Sequence, residues 1–211
     1  MSRYTLCRWA FRGLLSLLLS LWVVSGFAAG LHSHTHSESS ELPPGEYTRT
    51  SLYQLDSAWL TATGQRLQLG GLRGKARVVV MHYTSCEYAC PMLISMVQNI
   101  EKALAPDVLD KVGFVSVTFD PERDTPPVLK AYSNKMHLDP QRWTLLHGQP
   151  DDILELAVLL GVKYKKDQQG GFAHSNVITV LNAEGEIVYR HTGLYHPIAD
   201  TLAAIIRVTQ E

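Results

Sequence analysis

Cysteine is scarce in this chain, with three residues in 211. One of them, Cys7, precedes an apolar run rather than following it, so it is a poor site for lipid modification. The other two, Cys86 and Cys90, allow one structural disulfide, but a bridge closing so short a loop constrains the unfolded chain little. Basic residues are not in excess either, since 19 Lys and Arg stand against 20 Asp and Glu. The first thirty residues contain Arg3, Arg8 and Arg12 and no acid, leaving 16 basic against 20 acidic residues beyond them, a net charge of −4. That balance argues against nucleic acid as a partner, and past residue 30 no Lys/Arg cluster marks a lipid-binding surface. Internal repeats are absent. Proline is absent between Pro150 and Pro197.

What is present divides the chain into three parts. The early arginines, the apolar stretch from Gly13 to Ala29 and the small residues Ala28-Ala29-Gly30 predict a signal peptide or N-terminal membrane anchor over residues 1–29. The run is slightly short beside the roughly 20 apolar residues of a spanning helix. Membrane association therefore rests on residues 13–29 alone, and only if they are not cleaved. The expected location is exported: periplasmic, or anchored to an inner membrane and facing the periplasm. Residues 30–46 read as a His-rich polar linker. Within it His32, His34 and His36 alternate, which suits an auxiliary metal tract and equally a solvated linker. Residues 47–211 have the length and apolar content of one domain.

In that domain, Trp59-Leu60 and Arg66 to Leu69 predict two strands around a turn at Thr61–Gly64. Arg77 to Met81 and Val112 to Phe119 are continuous apolar runs, expected as buried central strands. A short strand is expected at Trp143–Leu146, and a hairpin from Val177–Leu181 and Glu186–Tyr189 over Asn182–Gly185. Helices are expected over Pro91–Leu104, with Pro91 at its first position, and over Pro127–Met136, capped by Asp124 or Thr125. Two more follow over Asp151–Leu160, ended by Gly161, and over Pro197–Val208. The long segment Lys163–Asn176 reads as a loop. Alternating strand and helix units predict an α/β fold with a central, partly parallel sheet. Ligand sites in such sheets collect at the carboxyl ends of strands.

Chemistry concentrates at those ends. Cys86 and Cys90 stand four apart in Tyr83-Thr-Ser-Cys-Glu-Tyr-Ala-Cys-Pro91, between a buried strand and a helix. A helix N-terminus stabilises thiolates, which bind soft metals and attack disulfides. His174, before the last hairpin, supplies an imidazole. Two sulfurs and one nitrogen suit Cu(I), and with a further ligand Cu(II). They are one donor short of a structural zinc site. Spacing alone does not choose between metal and disulfide. His82 is expected to be a hydrogen-bonded structural residue, Met92 and Met96 core residues, and His137, His147, His191 and His196 surface or loop residues.

Cys86-x-x-x-Cys90-Pro91, Asp120-Pro-Glu-Arg-Asp124-Thr-Pro126 and His174-Ser175, in this order, resemble the Sco/SenC family from Tyr47 to the C-terminus. The resemblance implies a thioredoxin-like fold with an N-terminal β-hairpin extension. It implies Cys86, Cys90 and His174 as copper ligands, with Asp120 and Asp124 near the site. It implies a metallochaperone that delivers copper to an oxidase subunit, reduces that subunit's cysteines, or both, with a thiol–disulfide reductase as a further partner. Where the family usually carries Pro-Asp after the first cysteine, this chain has Glu87-Tyr88. Where the family usually carries Asp before the histidine, it has Ala173.

Other readings fit the residues too. In a thiol–disulfide oxidoreductase without a metal, Cys86 and Cys90 would be the redox-active pair. Such enzymes on this fold usually set a cis-proline opposite the reactive cysteine, and here the segment before the hairpin holds His174-Ser175-Asn176 instead. A copper sensor or buffer would use His32–His36 to collect the metal. A peroxidase would need an arginine partner for Cys86, and none is apparent.

Overall fold

The computed structural model describes residues 47–210. The leader, the polar linker and His32, His34 and His36 lie outside the described residues. Among the described residues, no helix is long and apolar enough to cross a membrane.

Seven strands form one mixed sheet in the order β2-β1-β5-β4-β3-β8-β9. They are β1 (Ala58–Thr61), β2 (Arg66–Gln68), β3 (Ala76–His82), β4 (Val112–Thr118), β5 (Trp143–His147), β8 (Val177–Leu181) and β9 (Ile187–Thr192). The central trio β3-β4-β5 is parallel, and the outer pairings are antiparallel. Helices α1 (Ala89–Ala103), the short α2 (Pro106–Leu109), α3 (Pro126–Lys135), α4 (Pro150–Leu160) and α5 (Ala199–Val208) connect or close these strands.

The apolar runs of β3 and β4 are continuous because both faces of these strands are covered. Val78, Val80 and Phe114 join Leu93 and Ile94 of α1, Leu129 of α3 and Ile205 of α5 in one core. Val79, Met81, Val115 and Val117 point the other way and join Ile153 and Leu156 of α4. Each such side chain, fully buried, contributes about 1.5–3 kcal/mol. The sandwich therefore fixes the carboxyl ends of β3 and β4 firmly, and the loops that follow them inherit that placement.

Three expectations need correction. Helix α1 starts at Ala89, so Pro91 is its third residue and Cys90 already lies in its first turn. The amide groups of the first turn have no partners within the helix, so proline removes no helical hydrogen bond there. The last strand is Ile187–Thr192 rather than Glu186–Tyr189. The supposed loop Lys163–Asn176 contains a separate two-stranded hairpin, β6 (Tyr164–Lys166) with β7 (Phe172–His174). Thr125 occupies the cap position of α3, as expected, but its side chain makes no capping bond.

Candidate metal centre

The end of β3 delivers the chain into the loop Tyr83–Tyr88, and the first turn of α1 receives it. Cys86 is half-buried on this loop and Cys90 is fully buried on the helix. The loop closes on itself, with the Cys86 N–H donating to the Tyr83 carbonyl at 3.3 Å. The Cys90 N–H donates to Cys86 Sγ, also at 3.3 Å. Neither cysteine is in a disulfide.

His174 reaches this pair from the end of β7. Its Nε2 lies 3.6 Å from Cys90 Sγ, and the two sulfurs and one imidazole nitrogen all fall within 4.8 Å of one another. The Nδ1 of His174 lies 3.3 Å from the Ser175 carbonyl. A carbonyl can only accept, so Nδ1 carries the proton and Nε2 presents its lone pair to the sulfurs. Three donors at bond lengths of about 2.0–2.3 Å from a common centre stand roughly 3.7–4 Å apart. The observed spread needs only slight closure to reach that arrangement.

An aromatic cluster holds the imidazole in place. Phe172, two residues before His174, packs on Tyr83 at 5.1 Å and on Phe119 at 5.2 Å between ring centroids. Phe119 also stacks on Tyr164 at 5.0 Å and meets the His174 ring at 5.2 Å. The Phe172 N–H donates to the Tyr83 hydroxyl at 3.4 Å. Tyr83 and Phe119 directly follow the two central strands, so the core itself anchors the β6–β7 hairpin. These four aromatics were not singled out from sequence; the signal was an aromatic residue immediately after each buried strand.

The two acids act through other residues. Asp124 is fully buried, and its carboxylate accepts from the Thr84 N–H at 2.9 Å, from the Thr84 hydroxyl, and from the Thr118 hydroxyl at 2.6 Å. It thereby ties the cysteine loop to the end of β4. Asp120, also buried, pairs with Arg123. The Arg123 guanidinium in turn lies 5.9 Å from the centre of the ring of Phe172, on the strand that carries His174. Among the described residues, neither carboxylate joins the group formed by Cys86, Cys90 and His174.

The electrostatics of the two thiols diverge. Burial raises the Cys86 thiol, but hydrogen bonds from the Cys90 and Tyr88 backbone and from neighbouring side chains outweigh it, and the net shift is downward. Cys90 is pushed far up by burial, only partly opposed by a hydrogen bond from the Tyr83 backbone. Burial also lowers His174, against its bond to Ser175, which favours the neutral ring that a metal requires.

Other expected residues sort as follows. His82 is buried and structural, with Nδ1 2.8 Å from Ser116 Oγ and its ring 4.9 Å from that of Tyr132. Met96 is a core residue, whereas Met92 faces solvent. His137 and His196 are exposed. His147 is half-buried and donates to the Asp124 carbonyl, and His191 is buried, so these two were misplaced as surface residues.

The model of the SCO1/SenC family matches residues 49–210. The chain belongs to the SCO1/SenC family. A SCO1 protein homolog of Bacillus subtilis is 22% identical over 147 residues, covering 68% of this chain and 76% of the relative. The chain spans 63% and 57% of the length of SCO2-like relatives from Rickettsia typhi and Rickettsia prowazekii. Among solved structures, Bradyrhizobium japonicum ScoI with copper bound superimposes with a TM-score of 0.61 at 26% identity, over 72% of this chain and 96% of that one. BsSco, described as a Sco-family cytochrome c oxidase assembly protein with a disulfide switch, gives 0.64 at 22% identity, over 72% and 91%. These likenesses establish the thioredoxin-like Sco architecture, a mixed sheet flanked by helices.

Proposed function

We propose that this SCO1/SenC protein binds one copper ion through Cys86, Cys90 and His174 and serves the assembly of the copper site of a respiratory oxidase subunit. The observation that carries the reading is the meeting of three soft or borderline donors, brought from segments 84 residues apart, within 4.8 Å. Two thiolates and one imidazole match Cu(I), which accepts low coordination. The copper carried by the Bradyrhizobium relative supports the same cargo here. Export, by a cleaved leader or an anchor over residues 1–29, is part of the proposal, because the client sites of such a chaperone face that compartment. Fractionation of cells expressing the full chain tests it.

A second role at the same pair is favoured by the contrast between the thiols. Cys86 is half-buried and biased toward thiolate, while Cys90 is fully buried and biased toward thiol. This is the pattern of an attacking and a resolving cysteine. The Cys86 thiolate would attack a client disulfide and release one client thiolate. Cys90, losing its proton, would then displace the second, leaving the client reduced and Cys86–Cys90 oxidised. The disulfide switch named for BsSco supports this reading.

The deciding experiment is anaerobic titration of the reduced protein with Cu(I) against a chromophoric chelator. One equivalent should be retained, His174→Ala should weaken retention, and the Cys86→Ser, Cys90→Ser double variant should lose it. Unchanged retention in the double variant would overturn the proposal.

A further inference from the structure

A second set of ligand-type side chains lies apart from the cysteines, where β9 passes into α5. His191 is only 3% exposed. Its Nδ1 lies 3.2 Å from the Thr201 hydroxyl, while its Nε2 is buried with no hydrogen-bond partner. Leaving a buried nitrogen unpaired is unfavourable, and a bound ligand would remove that cost. His196 is exposed on the connecting loop, and its ring centre is 6.2 Å from that of His191. Gly193 makes that approach possible. It has φ +88°, and a Cβ there would come within 3.1 Å of the His196 ring. Asp200, in the first turn of α5, lines the same surface depression of about 370 Å³ as both histidines.

The surroundings favour a cation. Burial and then the neighbouring His196 lower His191, against the Gly193 backbone and Asp200, and the net shift favours the neutral ring. Arg190 borders the depression, but its guanidinium is committed to the carbonyls of Leu159 and Leu160. Two imidazoles on one metal, with bonds of about 2.0–2.1 Å, have ring centres roughly 5 Å apart. The two ring centres stand about 1 Å beyond that separation, and among the described residues their donor atoms do not already converge with a carboxylate, so the exposed His196 and Asp200 side chains have to turn inward.

We propose that His191, His196 and Asp200 form a second cation site, separate from the Cys86–Cys90–His174 group, for a borderline divalent ion of the Zn²⁺ or Cu²⁺ class. The set has two imidazole nitrogens, a carboxylate oxygen and no sulfur. It thus selects against Cu(I), whereas the cysteine site selects for it. One chain would then hold two metals of different character without competition between them.

The test uses the full chain carrying Cys86→Ser and Cys90→Ser, with His32, His34 and His36 changed to Ala to remove the other donors. Zn²⁺ is titrated against a chromophoric chelator. One equivalent should bind, and His196→Ala, at an exposed position that leaves the fold intact, should weaken it at least tenfold. No bound Zn²⁺, or equal affinity after His196→Ala, overturns the site. Should that background fail to fold, imidazole NMR of the natural chain with its thiols held by Cu(I) answers the same question. Addition of Zn²⁺ should shift the His191 and His196 ring resonances together, and resonances that stay in place refute the proposal.

Discussion

Asp124 offers a sharp test of how the fold holds the site. Its carboxylate collects three donors: the Thr84 N–H, the Thr84 hydroxyl and the Thr118 hydroxyl. Replacement by Ala strands all three in a buried setting. At about 1–3 kcal/mol for each orphaned group, and allowing for water reaching the half-buried Thr84, the expected loss is about 4 kcal/mol. Asp124→Asn should behave differently. One amide oxygen can keep the Thr84 N–H and the Thr118 hydroxyl. The amide NH₂ can donate to the Thr84 hydroxyl once that hydroxyl turns round. What remains is the weakening from charged to neutral hydrogen bonds, about 1–2 kcal/mol in total. Urea denaturation of the reduced, metal-free protein measures both variants. Because Thr84 is two residues before Cys86, Asp124→Ala should also speed alkylation of the cysteine loop. Equal costs for Asn and Ala, or a cost below about 1 kcal/mol for Ala, would refute the idea that this carboxylate fastens the loop.

Three further outcomes follow from the geometry. Phe172→Ala removes aromatic pairs with Tyr83, Phe119 and Tyr164. At about 0.5–1.5 kcal/mol per pair, the β6–β7 hairpin should loosen by about 2–4 kcal/mol, seen as faster amide exchange over residues 164–174 and poorer copper retention; unchanged exchange contradicts the anchoring role. In the reduced apo-protein, iodoacetamide should modify Cys86 well before Cys90, with a pH midpoint below that of an ordinary thiol, because hydrogen bonds lower Cys86 while burial raises Cys90; equal rates would contradict this. His82 is held at about 4, against 6.5 for a free histidine, chiefly by burial. Its folded pKa lies below its unfolded one, so the stability tied to its neutral form is complete above pH 6.5 and is lost as pH falls toward 4. The loss approaches about 3 kcal/mol, and His82→Gln should flatten that part of the stability–pH curve.

Much of the fold was legible because its central strands leave an unmistakable trace. Val78-Val-Val-Met81 and Val112–Phe119 are apolar on both faces, which only a covered central strand requires. That Cys86, Cys90 and His174 come together was legible through their residue types and order, and the imidazole stands 3.6 Å from one sulfur. The hairpin that carries His174 was not legible. Its strands are three residues each, they include Lys165 and Lys166, and what holds them comes from Tyr83 and Phe119 far upstream. No local periodicity records such a long-range clamp. Helix α1 starts earlier than expected because proline is commonest at the first helical position, yet at the third it also removes no helical hydrogen bond. His191 could have been placed: it lies two residues after Tyr189 on one face of β9, and that face packs under α5. Reading His137, His147, His191 and His196 together as surface or loop residues hid the approach of His191 to His196.

The claim that Cys86, Cys90 and His174 make one copper centre is tested most directly by X-ray absorption at the copper edge of the Cu(I)-loaded protein. Two sulfur scatterers near ~2.3 Å and one imidazole nitrogen near ~2.0 Å, to the nearest ~0.2 Å, are expected, with the nitrogen lost in His174→Ala. A sulfur-only shell, or a nitrogen signal that survives His174→Ala, would contradict it.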